Sequence, residues 1–234
     1  MGTSARDLVH TPLHQDRLGM QLAVFDLDGT ITRHDTTLPY LLGYVKTCPW
    51  RVFGLVLALP TAVLHLIGLT DRGTLKASIV RGVLGGCTRE QIDRWTERWV
   101  EVLLERGVFR DALSRIAEHR AAGDVLVLMS ASLDIYVPAI GRRLGFDEVT
   151  CTGVRWHGAR LHGALMTPNC RGEDKVRRIE GLRAQHPGAR LVAYGNAASD
   201  LPHLRLADRG VLVNGNRRAR RKAERVNVVC ESWS

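Results

Sequence analysis

Short, nearly continuous apolar runs alternate with longer amphipathic stretches along most of the chain. Four such runs predict buried strands, at residues 22–25, 125–129, 190–194 and 210–213. Amphipathic stretches after the later runs predict helices, at residues 134–143, 173–183, 200–207 and 217–225. Strands that are apolar on both faces are typical of parallel sheets covered by helices on both sides. The pattern therefore predicts an α/β fold with a doubly wound parallel sheet.

A long segment between the first two predicted strands, residues 35–108, has a helical pattern almost throughout. Thr88 and Gln91 have the spacing of a capping box at the start of one helix. Apolar residues then recur at steps of three and four, at Ile92, Trp95, Trp99 and Leu103. We expect this segment to form a helical cap inserted into a core made of residues 21–34 and 109–234.

Two smaller features complete the predicted organisation. Alternation of apolar and polar residues near residues 154–165 predicts a small β-hairpin. Residues 1–20 mix charged and polar residues with Pro12 and lack sustained periodicity. We expect these first residues to form a loose leader before the core.

One part of the insert, residues 52–69, is apolar except for Thr61 and His65. Its length is at the threshold for a membrane span. A single crossing would separate the ends of the first two strands, which must meet at one sheet edge. We therefore expect two short helices that bend at Pro60. These helices either pack inside the cap, which is the favoured interpretation, or touch a membrane interface.

The chain of 234 residues has a formal net charge of +9. Such a surface attracts anions, whether phosphorylated metabolites, anionic lipids or nucleic acids. The densest basic run, residues 217–225, has no aromatic stacking residues beside it, so no nucleic acid partner is expected. Arg51 and Arg72 flank the apolar segment, as contacts to anionic lipid headgroups would require. The sequence does not indicate an oligomeric state.

The number and spacing of the cysteines indicate the cellular compartment of the protein. The five cysteines are scattered along the chain without a C-x-x-C pair. An odd number of scattered cysteines indicates reduced thiols. We expect a cytoplasmic protein, and contact through residues 52–69 would associate it with the inner face of the membrane.

The first predicted strand ends in the sequence D-L-D-G-T, from Asp26 to Thr30. Ligands of open α/β sheets bind at this carboxyl edge. Asp26 and Asp28 would repel each other unless a cation or different roles offset the repulsion. One carboxylate can attack phosphorus while the other donates a proton to the leaving alcohol, and Mg²⁺ suits the combined negative charge. A motif of this kind standing alone often only caps a turn.

Three further motifs follow the first along the chain. The four are F-D-L-D-G-T at 25–30, S-A-S at 130–132, Lys175 in G-E-D-K-V, and G-N-A-A-S-D at 195–200. In this order and separation they resemble the motifs of the haloacid dehalogenase-like superfamily. The resemblance is closest to class IB, whose helical C1 cap lies between the first two motifs. This class is similar to phosphoserine phosphatase, histidinol phosphatases of this fold and phosphatidylglycerophosphatase C. The resemblance covers about residues 21–231 and implies a phosphatase.

The resemblance implies catalytic roles for four residues. Asp26 would be the nucleophile and a metal ligand, and Asp28 would be the general acid and base with its backbone carbonyl on the metal. Ser130 would donate its hydroxyl to the transferring phosphoryl group, and Lys175 would bridge this group and Asp26. The alternatives are a buried hydroxyl at a strand end for Ser130 and a surface position for Lys175, with Arg171 as the substitute cation.

The fourth motif departs from the family pattern. Asn196 stands where many relatives have a metal-binding aspartate, so the expected Mg²⁺ site has one negative charge fewer. Asp200 would complete the metal site by orienting metal-bound water. The departure leaves open whether the ion binds more weakly or turnover is lost. His34 and His203 lie beside motifs and receive no catalytic role.

Substrate contacts are expected from Thr30, Asp35, Ser132 and Arg171. Thr30 would hold Asp28 or the turn of the first motif. Asp35 occupies the place where phosphoserine phosphatase-like enzymes have an acidic residue that faces the substrate amine. An equal alternative for Asp35 is to cap the first helix of the insert.

We therefore expect a Mg²⁺-dependent phosphomonoester hydrolase that acts through an aspartyl-phosphate intermediate. The apolar segment and the positive charge favour a lipid-linked or amphiphilic phosphate as the substrate. Two alternatives stay open. One is a soluble metabolite phosphatase, acting on a compound such as phosphoserine or histidinol phosphate, and the other is a phosphate-binding protein of this fold without turnover.

Overall fold

The computed structural model describes residues 20–166 and 170–234. The leader predicted for residues 1–20 therefore lies, apart from Met20, outside the described residues. The described residues form a six-stranded sheet and a two-stranded sheet. The strands are β1 (Gln21–Phe25), β2 (Val125–Leu133), β3 (Glu148–Thr152), β4 (Val154–His157), β5 (Arg160–Leu165), β6 (Arg190–Gly195), β7 (Arg209–Val213) and β8 (Val229–Glu231).

The large sheet has the strand order β3-β2-β1-β6-β7-β8, and each neighbouring pair is parallel. β1 lies near its centre, where Phe25 is in register with Leu128 of β2 and Tyr194 of β6. Alternate residues of β1 enter two apolar clusters, with Phe25 in one and Val24 in the other. The sheet is therefore packed on both faces, and the predicted doubly wound parallel fold is confirmed.

The four strands predicted from apolar runs are the four inner strands of this sheet. The two that the pattern missed, β3 and β8, are its edges, and their side chains are mostly only half-buried. An edge strand has fewer apolar positions because one of its sides lacks a neighbouring strand. The predicted hairpin is confirmed by the antiparallel pairing of β4 and β5.

The helices are α1 (Thr37–Thr47), α2 (Val52–Leu66), α3 (Arg72–Leu84), α4 (Arg89–Arg106), α5 (Arg110–Ala121), α6 (Val137–Leu144), α7 (Glu173–Gln185), α8 (Leu201–Leu204) and α9 (Arg217–Glu224). The predicted capping box of α4 is confirmed, because Thr88 and Gln91 bond each other's backbone N–H groups. α6 begins later than predicted, with Pro138 in its first turn, where a missing N–H costs nothing. α8 is a single turn.

Four helices, α1 to α4, follow β1 within the segment expected to form the cap. α2 and α3 form an antiparallel hairpin, because Gly54 near the start of α2 meets Gly82 near the end of α3. The two backbones touch there, and a Cβ on Gly54 would collide with the carbonyl of Gly82. α3 also packs against β5, where Gly163 lies against the backbone of Arg81. The small residues allow this close packing.

The interpretation of residues 52–69 as two helices packed inside the cap is wrong. α2 runs through Pro60 as one helix, and the chain returns along α3 instead of bending at the proline. Ala58 is the one buried residue of α2. Within the described residues, one helical stretch, Pro49–Leu66, has the length and mean hydropathy (1.4) of a membrane span, and 6% of it is buried. Pro60 removes one backbone hydrogen bond from α2, and the helix nevertheless continues to Leu66.

Candidate active site

The carboxyl ends of β1, β2 and β6 border one pocket. It has a volume of about 310 Å³. Seven of the ten predicted site residues line it, namely Asp26, Asp28, Asp35, Arg171, Lys175, Asn196 and Asp200. The other three, Thr30, Ser130 and Ser132, are buried. The pocket forms here because parallel strands place their carboxyl ends at the same edge of the sheet.

A buried ion-pair cluster forms the floor of the pocket. Lys175, in the first turn of α7, is 2% exposed. Its Nζ donates to Oδ1 of Asp26 at 2.7 Å and to Oδ1 of Asp200 at 3.0 Å. Both carboxylates are buried as well. A buried charge persists only when it is paired, so Lys175 is fixed between the two acids and is not the surface residue of the alternative interpretation.

The pKa values in this cluster follow from burial and charge. Burial raises the pKa of Asp26 to about 7 despite the opposing positive charge of Lys175. Burial disfavours the charged form of Lys175, but Asp26 and Asp200 outweigh it and raise the pKa of Lys175. Burial also opposes ionisation of Asp200, yet Lys175 and the N–H of Ala197 hold the pKa of Asp200 below its usual range. Lys175 therefore stays charged, and Asp26 is the carboxyl whose protonation can change near neutral pH.

Asp28 is held by the start of the helical insert. Its Oδ1 accepts from the backbone N–H of Thr36 at 2.7 Å and from the Thr36 hydroxyl at 2.6 Å. Its Oδ2 accepts from the hydroxyl of Ser132 at 2.6 Å. Burial raises the pKa of Asp28, and the hydrogen bonds from Ser132 and Thr36 offset part of this effect. A carboxyl with a raised pKa suits a group that must donate a proton.

The contacts of the buried residues decide between the expected alternatives. Thr30 holds the turn of the first motif and not Asp28, because its backbone N–H donates to the carbonyl of Leu27 at 3.3 Å and its Oγ1 to Oδ2 of Asp26 at 3.5 Å. Ser130 is fully buried, and its Oγ accepts from the backbone N–H of Ser132 at 3.0 Å. This geometry is that of the alternative interpretation, a buried hydroxyl at a strand end. Ser132 donates to Asp28 and is itself buried behind the pocket lining. Its hydroxyl is therefore not exposed for the predicted contact with substrate.

The turn of the first motif fits closely against the fourth motif. Gly29 has φ of +75°, which favours glycine, and a Cβ there would collide with the side chain of Asn196. Asp200 accepts from the backbone N–H groups of Asn196 and Ala197, at 3.2 and 2.9 Å. Asp200 therefore shapes the loop that presents Asn196 to the pocket.

Asp35 bonds the start of α1 and also lines the pocket, and its predicted contact with a substrate amine stays a prediction. Its Oδ1 accepts from the N–H of Thr37, the first residue of α1, at 2.9 Å, although the N-cap position itself is Thr36. It also lines the pocket, where its negative charge acts on Lys76 of the insert. Arg171 lines the same pocket and supplies positive charge near its mouth.

Three residues near the site escaped prediction because their roles arise from tertiary contacts. Thr36 holds Asp28, and the hydroxyl of Tyr136 lies 3.0 Å from that of Thr36. Lys76 of α3 reaches across from the insert, where its Nζ donates to the backbone carbonyl of Ala131 in the pocket wall at 2.8 Å. Burial lowers the pKa of Lys76, while Asp28 and Asp35 oppose this effect. The sequence around these residues has no motif that indicates a role in the site. Lys76 is recognisable only as a lysine within the insert.

The donor atoms of the pocket suit a hard cation. Asp26, Asp28, Asn196 and Asp200 all line it, and oxygen ligands of this kind are those that Mg²⁺ prefers. Among the described residues, no three acidic, histidine or cysteine side chains are arranged together as a metal site. The expected set of metal ligands does not need three such side chains, because it combines the Asp26 carboxylate with the backbone carbonyl of Asp28 and the side-chain amide of Asn196. The residues present therefore fit the ion.

The parallel sheet, the helical insert after its central strand and the carboxylate–lysine pocket together define a capped α/β hydrolase. Residues 23–205 match the family model of the haloacid dehalogenase-like hydrolases. The chain belongs to this family, and the resemblance seen in its four motifs is confirmed.

Bacterial relatives cover most of the chain. Protein CicA of Caulobacter vibrioides is 34% identical over 189 residues, which span 80% of this chain and 83% of CicA. A Mycobacterium tuberculosis protein named "Probable phosphatase Rv3661" is 27% identical over 224 residues, spanning 86% of this chain and 71% of its own.

Solved structures share the fold. A Bordetella pertussis protein of unknown function has a TM-score of 0.74 and 19% identity, covering 91% of this chain and 98% of its own. A phospho-aspartyl intermediate analogue of phosphoserine phosphatase has a TM-score of 0.62 and 18% identity, covering 91% of this chain and 93% of its own. At such identities the likeness concerns the fold alone.

Proposed function

We propose that this hydrolase is a Mg²⁺-dependent phosphatase that removes phosphate from a monoester through an aspartyl-phosphate intermediate. The observation that carries the proposal is the buried Asp26–Lys175 pair, with an N–O distance of 2.7 Å, on the floor of an open pocket. Asp28 stands two residues further on with a raised pKa. A nucleophilic carboxylate, a fixed cation and a proton donor are the groups that phosphoryl transfer requires.

In the first step, an oxygen of Asp26 attacks phosphorus and the bond to the leaving alcohol oxygen breaks. Asp28 gives its proton to this oxygen, so the alcohol leaves neutral. In the second step, Asp28 takes a proton from water, whose oxygen attacks phosphorus and releases Asp26 and inorganic phosphate. Lys175 stays charged beside Asp26 in both steps and offsets the negative charge on the phosphoryl oxygens.

Asp26, the backbone carbonyl of Asp28 and Asn196 would hold Mg²⁺, with Asp200 in support. When bound, the ion supplies positive charge that neutralises carboxylate and phosphate together. Lys175 pairs with two acidic side chains, Asp26 and Asp200, and Asp28 lines the same pocket without contacting the lysine, so a further cation suits the charge of the pocket.

The proposed substrate is a lipid-linked or amphiphilic phosphate at the cytosolic face of a membrane. Support comes from the exposed apolar surface of α2, in the helical hairpin whose Lys76 reaches the pocket wall. A soluble phosphate that carries an amine is a second candidate, favoured by Asp35 in the pocket wall. A vesicle-borne and a soluble phosphomonoester compared at equal concentration separate the two.

Hydrolysis of an aryl phosphate, with and without Mg²⁺, tests the chemistry. Wild type should turn over only with the ion, and Asp26→Asn should lose at least about a thousandfold in kcat because the nucleophile is gone. Asp93→Asn, the same change on the exposed side of α4, is the matched control and should match wild type. Metal-independent turnover, or turnover that survives Asp26→Asn, would contradict the proposal.

Asn196→Asp tests the departure in the fourth motif. A carboxylate in place of the amide adds one negative charge to the metal ligands, so half-maximal activity should need about tenfold less Mg²⁺. Asn216→Asp is the control, because Asn216 only caps α9 and aspartate caps equally well. If wild type is inactive at saturating Mg²⁺ and Asn196→Asp is active, the chain itself is a binding protein that lost turnover at this position.

A further inference from the structure

The surface of α2 has the reverse of the usual distribution of side chains. The residues turned towards the protein are mostly small or polar, namely Gly54, Leu55, Ala58, Thr61, Ala62 and His65. The residues turned outwards are all apolar and exposed, namely Val52, Phe53, Val56, Leu57, Leu59, Pro60, Val63, Leu64 and Leu66. We call this second set the outer face of α2. A helix on the surface of a soluble protein normally has its large apolar residues inside.

The exposure is extensive as well as reversed. Phe53 is 73% exposed, Leu57 77% and Leu66 84%. The apolar surface continues into the turn before α3, where Ile67 and Leu69 are exposed too. Isolated apolar residues on a surface are ordinary, but a contiguous patch of this kind marks a contact with an apolar phase or a partner.

The charges around the outer face select an anionic bilayer as the occupant. Residues 36–88 contain five lysines and arginines and one acidic residue, Asp71; without Lys76, which lies at the pocket wall, their net charge is +3 (4 − 1). Arg51 precedes the outer face, and Arg72 follows the turn beyond it. Trp50, just before the helix, is 67% exposed. Apolar side chains flanked by a tryptophan and by arginines are the features of a helix that lies in a membrane interface.

The packing of α2 makes it lie along the bilayer instead of crossing it. Its inner side is held against α3 where Gly54 meets Gly82. α3 cannot enter the hydrocarbon with it, because α3 carries Arg72, Lys76 and Arg81 and packs on β5. A helix fastened along one side to a charged neighbour can bury only its other side.

We propose that the outer face of α2 docks the enzyme on the surface of an anionic bilayer. The proposal deepens the proposed function and rests on it for the substrate, which the bilayer would present. Docking itself needs no turnover. The same helical hairpin is tied to the active site, since Lys76 of α3 donates to the carbonyl of Ala131 in the pocket wall. Docking therefore fixes the position of the pocket relative to the lipid surface.

Co-sedimentation of the full chain with vesicles tests the proposal. The probes are vesicles of phosphatidylcholine and phosphatidylglycerol in equal parts, and vesicles of phosphatidylcholine alone. Wild type should bind the anionic vesicles more tightly than the neutral ones. The double variant Phe53→Glu, Leu57→Glu should lose at least about tenfold in partitioning, because each change removes an inserted apolar side chain. Val102→Glu with Leu113→Glu, on exposed sites of α4 and α5, is the matched control and should bind as wild type.

Tryptophan emission identifies the face that docks. Trp50 is exposed, whereas Trp95, Trp99, Trp156 and Trp233 are partly or fully buried. Binding should shift the emission of wild type to shorter wavelength, and Trp50→Phe should lose the shift while it still sediments with the vesicles. This readout uses no charged substitution, so it remains valid if the glutamate variant folds poorly.

The outcomes separate docking from chemistry. Asp26→Asn should bind the vesicles as wild type does, so an inactive enzyme that still docks supports the inference whatever the fate of the proposed reaction. Absence of binding to anionic vesicles overturns it, as does an equal loss in the control variant. Self-association that the glutamates on α2 abolish, without vesicle binding, would also overturn it and assign the outer face to a second copy of the chain.

Discussion

The carboxylates and the lysine on the pocket floor share a limited set of protonation states. Lys175 contacts both Asp26 and Asp200, and the N–H groups of the fourth motif stabilise only the charge on Asp200. Burial therefore acts most strongly on Asp26, whose pKa rises to about 7. A bound cation would favour the ionised form of Asp26, which is the form that attacks phosphorus. Asp200 therefore has a structural role in the loop of the fourth motif, whereas Asp26 is the acid available for chemistry.

His203 provides a test of burial at the residue scale. It is 2% exposed, and its Nδ1 has no hydrogen-bond partner among the described residues. Burial, aided by the charge of Lys175, lowers the pKa of His203 to about 3 from an ordinary value of 6.5. As the pH falls, His203 of the unfolded chain takes up a proton near pH 6.5, whereas His203 of the folded protein does so only near pH 3. The stability of the folded protein above pH 6.5 is therefore lost progressively as the pH falls towards 3.

We expect His203→Gln to reduce this pH dependence. Between pH 7 and pH 5, wild type should lose about 2 kcal/mol more of its free energy of unfolding than the variant does. Urea unfolding of metal-free protein at the two pH values measures the difference. The comparison cancels the opposite effect of Asp26, whose raised pKa favours the folded state as the pH falls. Equal losses in both proteins would show that His203 is not kept neutral by the fold.

At the scale of elements, glycines determine how closely α2 approaches α3. Gly54 and Gly82 bring the two backbones into contact, and this contact turns the inner side of α2 towards the protein. Without it, α3 could not hold α2 so that its large apolar residues point away from the core. The exposed outer face is therefore a consequence of a contact between small residues.

Gly54→Ala should lower the free energy of unfolding by about 1–3 kcal/mol, because its Cβ has no room beside the carbonyl of Gly82. Gly181→Ala is the matched control, since Gly181 lies in α7 with no atom near its missing Cβ. There alanine should stabilise the chain by up to about 1 kcal/mol through its helix propensity. Chemical denaturation measures the free energy of unfolding of both variants. If the two substitutions change it in the same direction, the close approach of Gly54 to Gly82 is contradicted.

At the scale of the whole molecule, the insert and the core share one apolar cluster. Tyr40 of the insert packs on Tyr136 of the core at 4.6 Å between ring centroids. The hydroxyl of Thr96 donates to the carbonyl of Ile135 at 3.2 Å. Asp28 and Ala131 add polar contacts from the pocket to the insert. The two parts therefore depend on each other for burial.

We expect a single cooperative unfolding transition. Tryptophan fluorescence reports on the insert through Trp95 and Trp99 and on the core through Trp156 and Trp233, while far-UV circular dichroism reports on all helices and strands. Because the shared cluster is lost as a unit, the two signals should change at the same denaturant concentration. A tryptophan signal that changes in two steps, the first of them well before the circular dichroism signal, would show that the insert unfolds by itself. Trp50→Phe can serve as the background, because it removes the exposed reporter.

Much of the fold was predictable because local composition follows burial. The inner strands are apolar on both faces, and Thr88 and Gln91 specify their helix start within four residues of chain. The edges β3 and β8 were not predictable in this way, since few of their residues are fully buried. The direction in which α2 faces was not predictable either. An apolar helix has the same composition in a core and on a surface.

The sequence by itself determined the chemistry available to this protein. It placed Asp26 and Asp28 after one strand, and it supplied Lys175, Asn196 and Asp200 in later motifs, because each of these identities is a local property of the chain. Only the tertiary structure decided which atoms meet. The contacts of Thr36 and Lys76 with the pocket join residues distant along the chain, and such contacts exist only once the insert has packed on the sheet.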